Sequence, residues 1–383
     1  MATAAGGVAA GVPQPQTTVE SPGGPFIRHS QPGRRPLYNS TTIAFGGTGL
    51  TTNPVPSAPG YYRGFRVRPS VTGGTGVTAV YSADAPFNCA SLVTVKDAFG
   101  TPLIVAPGYE AFYLIPKFGG QFGSSIGRDI TNLPSFNSAG ANQIGPNALP
   151  NNGNWSFNSV FAYEFTKAYG VLSGANASLL PTLTINWANS TTVYTTAPGG
   201  TPVLNFLVDA DFYWLPEGVD VQPPGLGTTC QWIYQQANPV LGSASSTIVQ
   251  FPRMGGYLAI IILELRDSTG ARIDAWPTRP RVIVDGVPLI DSDLTEIWDD
   301  MYISFQGTSR PAGVMAFSRR TSLAQEDFGL FDTAETYLST NPGTLLEVQG
   351  APWGTIANTP ATLSCLVAQV VPSGMLIQGA PEL

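Results

Sequence analysis

The 383-residue chain carries 43 glycines, 34 prolines, 25 acidic and 18 basic side chains, and a single histidine, His29. Catalysis and metal binding need clusters of ionisable side chains, so this composition argues against an acid–base enzyme and against a histidine-rich metal centre. The net charge of −7 argues against nucleic-acid binding, because the chain has no basic surplus to displace counterions from phosphates. The length exceeds what one hydrophobic core usually serves, which predicts two domains.

The N-terminal stretch, residues 1–36, shows little apolar periodicity and is rich in glycine, proline and small residues. It predicts a flexible, extended arm that cannot fold alone. Near its end lie Arg28, Arg34 and Arg35. Two interpretations stay open: a disordered tail, or an arm that becomes ordered only against a partner, with its arginines near phosphate or carboxylate groups.

From Tyr38 to Pro216, short runs of β-branched and aromatic residues alternate with turn signals, which is typical of a β-sandwich or jelly roll. The segment Ala90–Lys96, a turn, and Pro102–Val105 predict a hairpin. The other strands predicted in this region are Tyr62–Arg68, Ala111–Ile115, Ser156–Phe165, Leu183–Trp187 and Asn205–Trp214.

A proline- and glycine-rich stretch, 217–246, is predicted to link this domain (37–216) to a second strand-rich domain (247–383). In the second domain, Gly256–Leu265 is almost continuously apolar, so both faces of this strand should be buried. Arg281–Val284 precedes an Asp-Gly turn. A helix follows, capped by Asp291 or Ser292, with one apolar stripe. The stripe comprises Leu294, Ile297, Trp298, Met301, Tyr302 and Phe305. The last strands predicted are Gly343–Val348 and Ala361–Val371.

The cysteines, Cys89, Cys230 and Cys365, are far apart and contain no CxxC pair, which predicts free, buried thiols and no zinc site. The first residues lack the basic and leucine-rich regions of a secretory signal, so none is expected. The longest strongly apolar run, Leu258 to Leu263, is far shorter than the ~20 residues of a membrane-spanning helix. No cofactor is expected.

Candidate catalytic groups are few. A glycosidase needs only two carboxylates, and Asp209 with Asp211 or Asp291 with Asp293 would supply them. The simpler interpretation is a solvated strand end or a helix start, where aspartate is favoured. Any serine or cysteine triad would have to use His29, in the arm. The glycine-rich segment 119–127 lacks the Gly-Lys-Ser/Thr ending of a phosphate-binding loop. Arg310, Arg319 and Arg320 could form a basic patch, but exposed loop charges or salt bridges between subunits are the simpler interpretation.

Several segments occur in an order that is similar to a known family. They are Asp84–Gly100, Phe157–Trp187, and Pro252–Ile262 followed by Val284-Asp-Gly and the helix to Phe305. In this order they resemble the major capsid proteins of tailless, membrane-containing icosahedral phages of the tectivirus type. The chain departs from better-known members in its low lysine content and its glycine- and proline-rich arm. The resemblance implies an all-β double jelly roll, two tandem eight-stranded jelly rolls with a few short helices and an extended N-terminal arm.

The resemblance also implies a function. The chain would be a non-enzymatic virion protein, made in the host cytoplasm, whose pseudo-hexagonal homotrimers tile an icosahedral shell. Its other partners would be penton (vertex) and minor capsid proteins, and an internal membrane reached by the arm, where Arg28, Arg34 and Arg35 would meet lipid head groups. The tryptophans offered as subunit contacts, or equally as core residues, are Trp155, Trp214, Trp232 and Trp353. The competing hypotheses are a carbohydrate-binding or adhesin sandwich and a two-domain jelly-roll hydrolase.

Overall fold

The computed structural model describes residues 26, 29–46, 50–51, 60–75, 80–85, 87–97, 100–119, 157–160, 170–173, 181–197, 199–214, 228–238, 247–305, 310–318 and 338–372. Within these ranges the structure is dominated by strands. We call the elements up to residue 214 the first lobe and those from residue 247 onward the second lobe. Among the described residues, no helix is long and apolar enough to cross a membrane.

The described part of the first lobe contains strands β1–β11 and short helical segments. The strands are β1 Gln31–Ala44, β2 Leu50–Thr51, β3 Tyr61–Thr75, β4 Val80–Tyr81, β5 Ala90–Lys96, β6 Pro102–Ala106, β7 Phe157–Val160, β8 Leu172–Ser173, β9 Thr182–Trp187, β10 Tyr194–Thr196 and β11 Gly199–Trp214. The helical segments are a 3₁₀ turn Phe87–Cys89, a π-helical turn Glu110–Leu114, α1 Ile115–Phe118 and α2 Ser190–Val193.

Strand β12, Thr228–Ala237, lies between the two lobes in the chain. The second lobe contains β13 Thr247–Arg266, β14 Arg281–Val284, β15 Val287–Asp291, α3 Leu294–Ser304, β16 Val314–Ser318, β17 Leu338–Gly350 and β18 Thr362–Pro372.

One sheet runs through both lobes. Its strand order is β15-β14-β17-β13-β18-β12-β6-β5-β9-β2, with β16 also beside β13. The lobes join where β12 pairs in parallel with β6, placing Trp232 opposite Ile104. On its other edge β12 pairs antiparallel with β18 along its whole length. A second sheet, in the order β1-β11-β3-β7 with β8 beside β3, belongs to the first lobe alone.

Much of the predicted strand pattern is confirmed. The hairpin of β5 and β6 is antiparallel, with Val95 opposite Ile104. In β13, every side chain from Leu258 to Leu265 is buried, because further structure covers both faces of the sheet. The Asp-Gly turn after β14 has positive φ at Asp285 and Gly286, which closes the hairpin to β15.

The interpretation of residues 111–115 as a strand is wrong. They form the π-helical turn and the start of α1, and we call the two together, Glu110–Phe118, the junction helix. All residues from 108 to 119 are buried, so the junction helix has no solvent-exposed face. A short apolar run of this kind carries no periodicity that separates a strand from a buried helix.

Three further expectations need correction. Strand β1 begins at Gln31, inside the stretch assigned to the arm, because it pairs antiparallel with β11 down to Trp214. Strand β12 lies inside the predicted linker. In α3, Ile297 and Met301 are buried but Tyr302 is exposed, so the buried stripe of the helix is narrower than predicted.

The cysteine prediction is confirmed. All three thiols are free and buried. Burial raises the pKa of the Cys89 thiol to about 12 and that of Cys365 well above its ordinary value. These thiols stay protonated at neutral pH and act as small apolar side chains.

Candidate functional site: a buried charge cluster between the lobes

The junction helix places first-lobe side chains against the second lobe. Its last residue, Phe118, meets Phe305 after α3 edge to face, with ring centroids 4.8 Å apart. A Cβ atom at Gly119 would lie 3.4 Å from the indole of Trp232 on β12, and 2.5 Å from the carbonyl oxygen of Ile115, so a larger residue does not fit. The helix therefore contacts both the linking strand and the second lobe.

Beside the junction helix lies a group of five charged side chains, which we call the junction cluster. Its members are Asp84 from the turn after β4, Glu110 from the junction helix, Glu264 and Arg266 from β13, and Arg272 from the loop after β13. Two residues come from the first lobe and three from the second, so the ion pairs cross between the lobes.

Asp84 connects both arginines. One carboxylate oxygen, Oδ2, accepts a hydrogen bond from Nη1 of Arg266, and Oδ1 accepts one from Nε of Arg272 at 2.8 Å. Arg272 also donates from Nη2 to the carbonyl of Ala83 at 3.1 Å. Arg266 donates from Nη1 to the carbonyl of Gly270 at 2.8 Å. Each guanidinium is thus held by a first-lobe carboxylate and by backbone, an arrangement that fixes its position.

Two glutamates complete the junction cluster. Glu264 Oε1 lies 2.8 Å from Nη2 of Arg266, and Glu110 Oε1 lies 3.7 Å from the same nitrogen. The two glutamates are 2% and 3% exposed. Burial, reinforced by the neighbouring Glu110, raises the pKa of Glu264 well above its ordinary range, although Arg266 opposes the shift.

Aromatic rings enclose the junction cluster. The guanidinium of Arg272 lies 4.5 Å from the ring centroid of Tyr109, and that of Arg266 lies 5.4 Å from it. Burial raises the pKa of Tyr109 well above 10, and burial with the nearby Glu110 raises that of Tyr234 to about 12. The enclosed carboxylates face guanidiniums and do not line an open cleft. This arrangement suits a structural lock between the lobes.

The carboxylate pairs considered for hydrolysis sit among arginines. Asp211 accepts a hydrogen bond from Nε of Arg34 at 2.7 Å. Asp209 is buried and stands opposite Arg66 of β3 in the sheet register. In the other pair, Asp291 forms ion pairs with Arg279 and Arg281, at 2.9 and 3.0 Å. In the described part of the chain, no group of three or more His, Cys, Asp or Glu side chains is placed to hold a metal ion.

Arg310 forms a salt bridge within the second lobe. Its two terminal nitrogens bind both carboxylate oxygens of Asp274, at 2.6 and 3.0 Å. Its guanidinium also stacks over Trp298, 3.9 Å from the ring centroid. Arg310 is therefore engaged within the chain, and this ion pair does not test whether it also contacts another subunit. Arg319 and Arg320 lie outside the described residues.

The arm residues are placed unevenly. Arg28 lies outside the described residues. Arg34 and Arg35 both belong to β1 and are exposed, and Arg34 is engaged by Asp211. Phe26, which sequence reasoning overlooked, is buried edge to face against Tyr61 and Tyr213, with centroid distances of 5.4 and 5.7 Å. A lone aromatic residue within a proline- and glycine-rich stretch was the available signal.

The four tryptophans separate into different environments. Trp214, at the end of β11, is 48% exposed. Trp232 and Trp353 are buried in the core, with Trp353 next to Trp276 at a centroid distance of 6.0 Å. Their burial fits the interpretation that they fill the core, and it leaves little of either ring for a neighbouring subunit. Trp155 lies outside the described residues.

No protein-family model matches the chain, and a search of curated proteins finds no match. Solved structures do match. The major capsid protein (MCP) of STIV, the Sulfolobus turreted icosahedral virus, is similar at 16% identity over 92% of this chain and 100% of that one, with a TM-score of 0.57. The PBCV-1 virus capsid is similar at 12% identity, 89% and 93% coverage and a TM-score of 0.56.

A third similar structure is the major capsid protein of bacteriophage PM2, at 11% identity, 89% coverage of this chain, 97% of that one and a TM-score of 0.50. The chain therefore has the all-β double jelly-roll fold of these capsid proteins, as the sequence predicted. The junction cluster lies between the two lobes of this fold.

Proposed function

We propose that the chain is a non-catalytic structural protein that self-associates to form the shell of a virion. The observation that carries this proposal is the double jelly-roll fold, shared with viral capsid proteins over about nine-tenths of the chain and nearly their full length. Fold alone does not determine function, so the proposal also needs a physical reason for a shell.

The physical reason is rigidity. A sheet that continues from β15 to β2 and a buried set of ion pairs hold the two lobes as one broad block. Jelly rolls bury their sheet faces internally and present short edges and loops to neighbours. A stiff block of this kind is suited to tiling a surface, where bending between the lobes would disturb the lattice.

The finer part of the proposal is a homotrimer. Three copies of a two-lobed block, joined head to tail about a three-fold axis, close into a ring with six lobes. Such a pseudo-hexagonal unit tiles an icosahedral shell, with penton and minor capsid proteins at positions that it does not fill. An internal membrane beneath the shell would contact the N-terminal arm.

The experiment that tests this function is light scattering of the purified chain, followed by negative-stain microscopy of the same peak. A particle near three times 40.3 kDa with a six-lobed outline is the expected result. If the chain trimerises only while a shell assembles, the six-lobed units should appear in the assembled particles and not in free solution. A monomer that forms no particle under assembly conditions and binds glycans would contradict the proposal and favour the carbohydrate-binding alternative.

Trp214 is proposed as a subunit contact. Its half-exposed ring adds little to the stability of the monomer, whereas aromatic anchors at the centre of an interface commonly contribute ≥2 kcal/mol. Trp214→Ala should therefore weaken trimer association about thirtyfold or more. Analytical ultracentrifugation measures the association, and the thermal midpoint of the monomer is the control. An unchanged trimer fraction would show that Trp214 lies outside the contact.

The arm arginines are proposed to meet anionic lipid. Because Asp211 holds Arg34, the test should change the other two, as Arg28→Gln/Arg35→Gln. Each basic residue near a charged membrane contributes about 1 kcal/mol, so binding to phosphatidylserine vesicles should fall about thirtyfold. Vesicles of neutral phosphatidylcholine serve as the control. Deletion of the arm should stop at residue 25, because Phe26 and β1 belong to the folded lobe.

A further inference from the structure

The junction cluster holds unequal numbers of acidic and basic groups. Three carboxyl groups, from Asp84, Glu110 and Glu264, face two guanidiniums, from Arg266 and Arg272. If every group were ionised, one negative charge would remain without a partner among nearly buried side chains. An uncompensated buried charge is strongly unfavourable, so the folded chain is expected to neutralise it by taking up a proton.

The geometry locates that proton on the glutamates. Both carboxylate oxygens of Glu264 are buried, and neither has a hydrogen-bond partner among the described residues. A buried carboxyl group without hydrogen-bond donors favours its protonated form. Glu110 and Glu264 face the same nitrogen, Nη2 of Arg266, at 3.7 and 2.8 Å, so one guanidinium nitrogen cannot neutralise both. One proton shared by the pair makes the junction cluster neutral.

The titratable groups that face the glutamate pair are Asp84, Tyr109, Tyr113, Tyr234, Arg266 and Arg272. Burial raises the pKa of Tyr109 and Tyr234 further above neutrality, so both stay protonated near neutral pH. Asp84 binds both arginines through its two carboxylate oxygens. The glutamate pair is therefore the part of the junction that responds to pH.

We propose that the contact between the two lobes is a one-proton switch, in which the Glu110–Glu264 pair holds a proton in the folded chain and releases it to solvent as the pH rises, weakening the contact. On unfolding, Glu264 returns to ordinary acidity and the proton is lost to water. This property belongs to the fold of the single chain and does not depend on the proposed capsid role.

The direction of the pH effect follows from proton linkage. The folded state keeps a proton that the unfolded state loses above the ordinary glutamate pKa of 4.5. The stabilising contribution is therefore complete below that pH and declines as the pH rises toward the higher pKa of the folded pair. Across that window, one proton changes the folding equilibrium tenfold per pH unit.

The test is urea unfolding of the full chain and of Glu264→Gln between pH 5 and pH 9. The amide of glutamine can donate a hydrogen bond to Glu110 and does not titrate, so the variant has no carboxyl group at position 264 to exchange a proton between pH 5 and pH 9. The ratio of the variant's folding constant to that of the unchanged chain should rise about tenfold per pH unit until it levels off. A ratio that is constant across the range, or that falls with pH, would overturn the proposal.

Two further measurements separate the switch from a general effect of the substitution. Glu347→Gln, on the surface of β17, removes a carboxylate that binds Gln250 and should give a ratio independent of pH. At neutral pH, infrared spectroscopy should detect the carbonyl stretch of a protonated carboxyl group, which disappears in Glu264→Gln. If that band is absent from the folded, unchanged chain at neutral pH, the pair does not hold the proton and the proposal fails.

Discussion

Replacing Asp84 by alanine is expected to lower the free energy of unfolding by about 3–5 kcal/mol, the usual effect of removing one partner from a buried ion pair. Asp84 binds Arg266 through one oxygen and Arg272 through the other. The side chains of these three residues are 13–15% exposed, so water can solvate the abandoned guanidiniums only partly. The loss should appear as a lower urea midpoint and as greater proteolysis between the lobes.

The matched control for Asp84→Ala is Asp211→Ala in the same lobe. Asp211 also pairs with an arginine, Arg34, but that arginine is 46% exposed. Exposed ion pairs contribute about 0–1 kcal/mol, so this variant should unfold almost like the unchanged chain. If the two variants lose equal stability, burial does not set the strength of the junction cluster, and its role as a lock between the lobes is wrong.

The strands were predicted best where residues adjacent in sequence are enough to determine the local structure. The run from Leu258 to Leu265 is so apolar that only a strand covered on both faces accommodates it. The turn at Asp285 and Gly286 has the dipeptide that tolerates positive φ, so the β14–β15 hairpin follows from two residues. In both segments, a few consecutive residues are sufficient to predict the structure.

Prediction failed where tertiary packing decided between local alternatives. Residues 111–115 are apolar at successive positions, a pattern that suits either a buried strand or a buried helix. The helix is favoured by its packing between the two lobes. Local sequence patterns carry no information about that packing. Strand β12 was missed for a different reason. Cys230, Trp232 and Tyr234 alternate with less apolar residues, as in a strand. The surrounding prolines and glycines, however, are typical of a linker, and they favoured that interpretation.

The junction cluster was beyond local sequence reasoning. Asp84 is separated from Arg266 by 182 positions and from Arg272 by 188, so the pairing appears only when both lobes are folded. A weaker signal existed in each half. Glu110 and Glu264 are single acids at or beside strongly apolar stretches, and a buried acid requires a partner. That signal identifies candidates for a cluster but not which residues meet.

Gly108→Ala is expected to destabilise the chain by about 3 kcal/mol, at the upper end of what overpacking costs a well-packed core. Gly108 lies two residues before the junction helix, and a methyl group there would overlap the carbonyl oxygens of Phe87 and Ala90. These atoms belong to the backbone of the 3₁₀ turn and of the first residue of β5, so neither can move aside without shifting those elements. The displaced helix would also move Glu110 away from Glu264. The clash at Gly108 would therefore weaken the contact between the two lobes.

The control for Gly108→Ala is Gly343→Ala in β17, where an added methyl group meets nothing within 4 Å. That variant should stay within about 0.5 kcal/mol of the unchanged chain, since it changes surface without changing packing. Urea unfolding of both variants gives the comparison, and hydrogen exchange at residues 108–118 reports whether the helix is displaced. If Gly108→Ala keeps both its unfolding midpoint and its slow exchange, the close fit of the helix does not hold the lobes together. Loss of protection confined to the helix, with the strands of each lobe unaffected, would instead identify the junction helix as the part of the fold on which the rigidity of the double jelly roll depends.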